Sequence, residues 1–216
     1  MSQTTAKRNP RLEPLGIWTS NIVRVLALGH EGKYDGYLDD NAQAVAAIAQ
    51  LAHAVRHEVG EDPAIMPWTV PDMTDTLIYP KGVSADSGPT DEEQAAHAAV
   101  TLFAVHQQSK REMAVHTDAY VSLGRAVGAM AQGNFNEKGI RSTFDKVQMA
   151  SSWPMMVRYA HHLIKLLKRE DRQLNYGLLA QDLLKLRRGR EQANGVRLRW
   201  GRDYQSAYVN EKNKTK

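Results

Sequence analysis

Apolar residues recur at helical spacing along most of the chain, and no segment alternates for long enough to predict a sheet. Val45, Ile48 and Leu51 form one stripe of an Ala-rich segment, which predicts a long helix over 40–58. The same spacing predicts further helices over 17–28, 90–105, 121–130, 136–149, 152–168, 176–188 and 195–208. We therefore expect an all-α fold, a helical bundle of about eight to nine helices.

Local signals mark the beginnings of several of these helices. Thr90 is followed three residues later by Glu93, which is the spacing of a capping box. Ser122 is a good cap residue for the helix that follows it, and Pro154 fits the first turn of its own helix. These signals support the predicted helix boundaries independently of the apolar spacing.

Five prolines between positions 63 and 89 exclude a continuous helix there. Apolar strings such as Met66-Pro67-Trp68 favour an irregular Pro-rich crossover packed on the core, with a plain domain linker as the alternative. The predicted organisation has four parts: a disordered N-terminal arm over 1–14, an N-terminal helical part with the crossover over 15–89, a basic C-terminal helical bundle over 90–209 and a disordered tail over 210–216.

Charge is unevenly divided along the chain. Residues 1–108 carry 7 Lys/Arg and 14 Asp/Glu, whereas residues 109–216 carry 21 Lys/Arg and 10 Asp/Glu. The formal net charge of +4 therefore combines an acidic first half with a basic second half. Blocks of opposite sign are typical of a surface that meets a polyanion, most simply nucleic acid. Ordinary solvated helix faces are the alternative interpretation.

The usual signatures of catalysis are absent from the sequence. It has no Cys, no Walker-type phosphate loop, no dinucleotide fingerprint, no His-Glu-x-x-His and no Gly-x-Ser-x-Gly. His53 and His57 are four residues apart, but no third ligand follows at a recognisable spacing, so we interpret them as structural or surface residues. No apolar run reaches the length of about 20 residues that spans a membrane. We expect a cytoplasmic protein that is not an enzyme and holds no cofactor or metal.

Basic residues are organised in the second half. Lys165, Lys168, Arg169 and Arg172 form a strip at helical spacing, and Arg158 lies on the same strip. Such a strip can follow a phosphate backbone and release its counterions. Two further clusters are rich in arginine, which grips phosphate with two hydrogen bonds. They are Arg187, Arg188 and Arg190, and then Arg197, Arg199 and Arg202, with Trp200 among them interpreted as a core residue.

Specific strings resemble a known family. Ser122-Leu123-Gly124-Arg125-Ala126 resembles the signature segment of the CasB small subunit of the type I-E CRISPR Cascade surveillance complex. The string 196–204 is similar to the closing helix of the longer members. Two places differ from the family pattern, since His57 and the pair His161 and His162 stand where members commonly carry arginine.

The resemblance implies a non-catalytic protein that binds guide RNA and target DNA, single- and double-stranded, without sequence preference. It implies other Cascade subunits and a second copy of the chain as partners, and a role in stabilising the R-loop and displaced strand in antiviral defence. Together with the basic pattern, it predicts these phosphate-binding residues: Arg56, Lys110, Arg111, Arg125, Lys138, Arg141, Arg158, Lys165, Arg187, Arg188, Arg197, Arg199 and Arg202.

Two alternatives stay open at this point. Arg125 lies beside a glycine and could pair with a carboxylate to fix the bundle instead of binding phosphate. The whole protein could be a helical interaction adaptor whose basic face meets an acidic protein. The salt dependence of binding distinguishes an adaptor from a nucleic-acid-binding protein, because nucleic-acid affinity falls steeply and linearly on a log–log plot as the salt concentration rises.

Overall fold

The computed structural model describes residues 10–84 and 86–214. Within these ranges the chain is a helical bundle with one short hairpin, which confirms the all-α expectation. The elements are α1 (Pro14–Leu28), β1 (Gly29–His30), β2 (Tyr34–Asp35), α2 (Ala42–His53), α3 (Met66–Thr69), α4 (Asp91–Gln107), α5 (Leu123–Ala131), α6 (Glu137–Met149), α7 (Trp153–Arg169), α8 (Tyr176–Arg187) and α9 (Arg190–Lys214). None of the described helices is long and apolar enough to cross a bilayer.

Some elements differ from the predicted ones. α2 ends at His53, where the chain tightens into a 3-10 turn over Ala54–Arg56. α9 continues to Lys214, so residues 210–214 are helical although their sequence carries no apolar stripe. A Lys214–Glu211 pair supports this last turn. The rest of the predicted tail and residues 1–9 of the predicted arm lie outside the described residues.

α4 is the central helix of the bundle. It packs against α1, α2, α7 and α8, and nearly all of its residues after the first turn are buried. A helix that is enclosed on all sides has no polar face, which explains its run of alanines. The predicted capping box is formed, because the Thr90 N–H donates to Glu93 Oε2 at 2.8 Å and the Glu93 N–H donates to Thr90 Oγ1 at 3.2 Å.

Two glycines allow α5 and α9 to pack backbone against backbone. Gly124 and Gly128 are four residues apart and therefore share one face of α5. A Cβ on Gly124 would stand 2.8 Å from the Cα of Trp200, and one on Gly128 would stand 2.8 Å from the Cα of Tyr204. Trp200 is fully buried beside this contact, as the sequence predicts.

The acidic and basic halves of the sequence meet inside the fold. One hydrophobic core runs through both halves, across the predicted boundary at residues 89 and 90. In the described part of the chain, four ion pairs join a basic residue of the second half to an acidic residue of the first half: Lys185–Glu13, Arg111–Asp40, Arg187–Asp91 and Arg188–Glu92. The pair Arg24–Asp118 runs the other way. Part of the charge division is therefore internal complementarity.

Candidate nucleic-acid interface

The thirteen predicted phosphate-binding residues separate into sets. Six of them form ion pairs within the chain: Lys110, Arg111, Arg141, Arg187, Arg188 and Arg199. Arg197 donates instead to the Gln148 carbonyl oxygen at 2.8 Å and to Asn194 Oδ1 at 3.1 Å. The side chains of the other six make no hydrogen bond or ion pair with any residue in 10–84 or 86–214: Arg56, Arg125, Lys138, Arg158, Lys165 and Arg202.

One groove collects cations from three separate stretches of the chain. It lies where the 3-10 turn after α2, the start of α4, the start of α7 and the end of α8 meet, and it encloses about 770 Å³. Arg56, Arg158 and Arg187 line it, together with Trp153 and the carboxylate of Glu58. We call this the α7 groove. Three basic residues that are far apart in sequence thus share one concave surface.

The cations continue along α7 beyond the groove. Burial, followed by the charges of Lys165 and Arg56, lowers the pKa of His161 on α7. Burial, followed by the charges of Lys110 and Lys165, lowers the pKa of Lys168. Like charges lower a basic group's pKa when they are close to it. Arg56, Lys165, Lys168 and Lys110 therefore lie near one another on the α7 side, with Lys110 paired to Asp171, and we call this set the α7 band.

Arg187 contributes to the groove in a fixed position. Its Nε donates to Asp91 Oδ1 at 2.7 Å, and its guanidinium lies 4.6 Å from the ring centroid of Trp153. Arg188 beside it pairs with Glu92, whose side chain is only 3% exposed. Both arginines thereby fasten α8 to the start of α4, so they are less available to a ligand than Arg56 and Arg158.

A second groove lies between α6 and α9 and encloses about 830 Å³. Lys138, Arg141 and Lys146 line it beside Tyr204 and Tyr208, together with the carboxylates of Glu137 and Asp145. The Arg141 guanidinium lies 4.7 Å from the Tyr204 ring centroid, and Arg141 also pairs with Asp145 at 3.2 Å. Arg197 lines an adjoining depression. The structure therefore brings together Lys138, Arg141 and Arg197, but on a different surface from the α7 groove.

Arg199 has a mainly structural position. Its guanidinium pairs with Asp182, a carboxylate that is 1% exposed and also accepts the Trp200 indole N–H at 2.7 Å. Burial raises the pKa of Asp182, while Arg199 and Trp200 oppose that rise. The side chain of Arg199 is 33% exposed, so it can offer a ligand only the part of its charge that Asp182 leaves uncompensated.

Arg125 and Arg202 lie apart from both grooves. Arg125 is half-buried on α5 and has no carboxylate partner in the described chain, so the pairing considered for it is not observed. Its neighbours explain the signature string, since Ser122 caps α5 by accepting from the Arg125 N–H and also donates to Asp203 on α9. Arg202 is exposed and points away from the buried Trp200, two residues earlier.

Sequence reasoning missed several residues that line the α7 groove. Trp153 was predicted only as the start of a helix, and Gln94 and His97 gave no signal because single polar residues of an Ala-rich helix do not indicate which side chains the fold brings beside them. His97 Nε2 and His57 Nδ1 are buried and have no hydrogen-bond partner in the described ranges. Burial, followed by the charge of His57, lowers the pKa of His97 to about 4, so this imidazole is neutral at pH 7.

Structural roles account for Asp72, Asp75 and the His53–His57 pair. Asp72 accepts from the Thr74 N–H at 2.8 Å, and Asp75 accepts from the Leu77 N–H at 2.9 Å, so both shape turns of the crossover. The His53 and His57 rings pack edge to face with centroids 5.3 Å apart. No group of three or more His, Asp or Glu in the described ranges is placed to hold a metal ion.

Fold and surface together define an all-helical protein with two grooves lined by basic residues. The chain matches the family model for CRISPR-associated protein Cse2 over residues 47–204, and it therefore belongs to the Cse2 (CasB) family of type I-E Cascade subunits. As a family member it works with other Cascade subunits in CRISPR defence. The resemblance inferred from residues 122–126 and 196–204 is thereby confirmed.

A solved structure agrees with this assignment. The crystal structure of CasB from Thermobifida fusca is similar to the chain with a TM-score of 0.67 and 30% sequence identity. The alignment covers 90% of this chain and 99% of that one. A search of curated protein sequences gave no match.

Proposed function

We propose that the chain is the non-catalytic small subunit of a type I-E Cascade complex and binds guide RNA and target DNA backbones without sequence preference. It acts in the cytoplasm beside the other subunits and a second copy of itself, and stabilises the R-loop and the displaced strand. The α7 groove and the α7 band are the contact surface. The observation that carries the proposal is the convergence of Arg56, Arg158 and Lys165 without carboxylate partners.

Electrostatics supports a polyanion as the ligand of this surface. Burial, followed by the charges of Lys110 and Lys165, lowers the pKa of Lys168, and bound phosphates would offset the repulsion from those two neighbours. Phosphate contacts position a strand but carry no sequence information. The interface would therefore hold any strand that Cascade presents to it, while base pairing with the guide selects the sequence.

Binding across a salt series tests the proposal. The wild-type protein should shift single- and double-stranded nucleic acid of unrelated sequences, with log affinity falling linearly against log salt. The triple variant Arg56→Gln, Arg158→Gln, Lys165→Gln should make the slope for single strands less steep by about 2, because each lost phosphate contact removes about 0.7 from its magnitude. The matched control Lys33→Gln, Lys81→Gln, Lys212→Gln removes three exposed, unpaired charges outside both grooves and should keep the wild-type slope.

Two results would overturn the proposal. The first is a wild-type protein that binds neither strand type even at low salt, which is the behaviour expected of an adaptor for an acidic protein. The second is a triple variant whose slope equals that of the control. Circular dichroism of both variants should match the wild type, because all six substituted side chains are exposed and make no ion pair in the described chain.

A further inference from the structure

The α7 groove has apolar and polar features that phosphate binding alone does not require. Val55, Val157 and the indole of Trp153 give it apolar walls beneath the cations. Its volume of about 770 Å³ falls within the range of about 300–1,000 Å³ that is usual for small-molecule sites. Binding a phosphate backbone needs only exposed charge. The apolar interior therefore indicates that part of the ligand is buried there, out of contact with water.

Unpartnered polar atoms stand in this interior. His97 is 6% exposed, lines the groove and has no hydrogen-bond partner for Nε2 in the described ranges. The Gln94 side chain, one turn earlier on α4, also makes no hydrogen bond within those ranges. A buried polar atom such as His97 Nε2 is nearly always paired in native proteins, whereas the half-buried Gln94 amide is also open to water. A neutral imidazole and a carboxamide offer both donors and acceptors, which is what the edge of a nucleobase requires.

Trp153 provides a rigid planar surface beside these groups. The guanidinium of Arg187 lies 4.6 Å from its ring centroid, and Asp91 holds that arginine at 2.7 Å. Unpaired bases stack on aromatic rings and on guanidinium planes, whatever their identity. Arg56 and Arg158 are exposed on the same groove and are free to bind the phosphates on either side of a stacked base.

We propose that the α7 groove holds one unstacked nucleobase of a bound single strand, stacked on Trp153 and hydrogen-bonded by Gln94 and His97. Arg56 and Arg158 bind the flanking phosphates. The proposal rests on the proposed function and deepens it, since backbone binding needs no base whereas this site does. Glu58 is the one carboxylate among the described lining residues, so the groove keeps a net positive charge that suits a nucleotide better than an acidic side chain does.

Abasic strands separate base binding from backbone binding. The wild-type protein is titrated with a single strand and with an abasic strand of equal length and phosphate number. We expect affinity for the strand with bases to be roughly tenfold higher, because the stacking of one base on the indole adds to the phosphate contacts that both strands share. Trp153→Ala should bring this ratio close to one at an unchanged salt slope. Arg56→Gln with Arg158→Gln should weaken binding of both strands equally.

Two further variants keep the test decisive. Gln94→Leu preserves side-chain volume and should reduce the ratio even if Trp153→Ala unfolds the protein. Trp68→Ala removes an aromatic side chain outside the groove and should leave the ratio at its wild-type value. Equal wild-type affinity for both strands overturns the base site but leaves the proposed function intact. Failure to bind either strand at low salt overturns the proposed function itself.

Discussion

Replacing Gly124 with alanine tests the α5–α9 contact more sharply than removal of a side chain would. The new methyl group would stand 2.8 Å from the Cα of Trp200, and backbone atoms cannot rotate away as a side-chain end can. α9 must therefore move off α5 and loosen the packing of Trp200 and Tyr204. Overpacking costs about 1–3 kcal/mol, and we expect about 2–3 kcal/mol here because the methyl group would stand even closer to the Trp200 carbonyl oxygen than to its Cα. Because alanine gains up to about 1 kcal/mol in helix propensity, we expect a net loss of about 1–2 kcal/mol.

Gly195→Ala is the matched control, since it makes the same chemical change in α9 with no heavy atom within 4 Å of the new methyl group. It should stabilise the protein by about 0.5–1 kcal/mol. In thermal melts, Gly124→Ala should lower the midpoint by about 2–8 °C and Gly195→Ala should raise it by about 1–4 °C. A Gly124→Ala protein as stable as the wild type would refute the backbone contact, whatever the control does.

Two more predictions concern buried polar groups. Asp182→Ala leaves Arg199 and the Trp200 indole N–H without their partner, so urea denaturation should show that the free energy of unfolding falls by about 3–5 kcal/mol. The control Asp145→Ala removes an exposed carboxylate and should lower it by less than about 1 kcal/mol. Equal losses for the two variants would contradict the structural role of Asp182. Burial lowers the pKa of His97 to about 4 and that of His106 to about 3, so the unfolded chain binds more protons below pH 6.5. Melting temperature should therefore fall from pH 7 to pH 5, and His97→Leu should make that fall shallower; a flat profile for the wild type would be contrary evidence.

Local chemistry predicted the helices well because each signal acts within a few residues. The capping box at Thr90 and the cap at Ser122 depend only on neighbours three residues away, and both form as expected. The apolar spacing also placed Trp200 in the core. The end of α9 was predicted wrongly because residues 210–214 have no apolar stripe and are supported by polar contacts such as the Lys214–Glu211 pair.

The roles of the arginines could not be predicted from sequence, because a charge is compensated by acids that only the fold brings near. Arg187 and Asp91 are 96 positions apart, and nothing in either local sequence indicates the pairing. The charge division therefore exaggerated the surface available to a polyanion. For the same reason, the groove formed by Arg56, Trp153 and Arg158 appears only when α2, α4, α7 and α8 are packed together.

Lysine footprinting tests the location of the interface most directly, because it needs no substitution. The protein is acetylated briefly with and without a saturating single strand, and each lysine is read by mass spectrometry. Lys165 in the α7 band should be protected several-fold, whereas the exposed Lys33 and Lys81 should react equally in both states. Protection of Lys138 and Lys146 with an unchanged Lys165 would instead assign the strand to the α6–α9 groove and contradict the account.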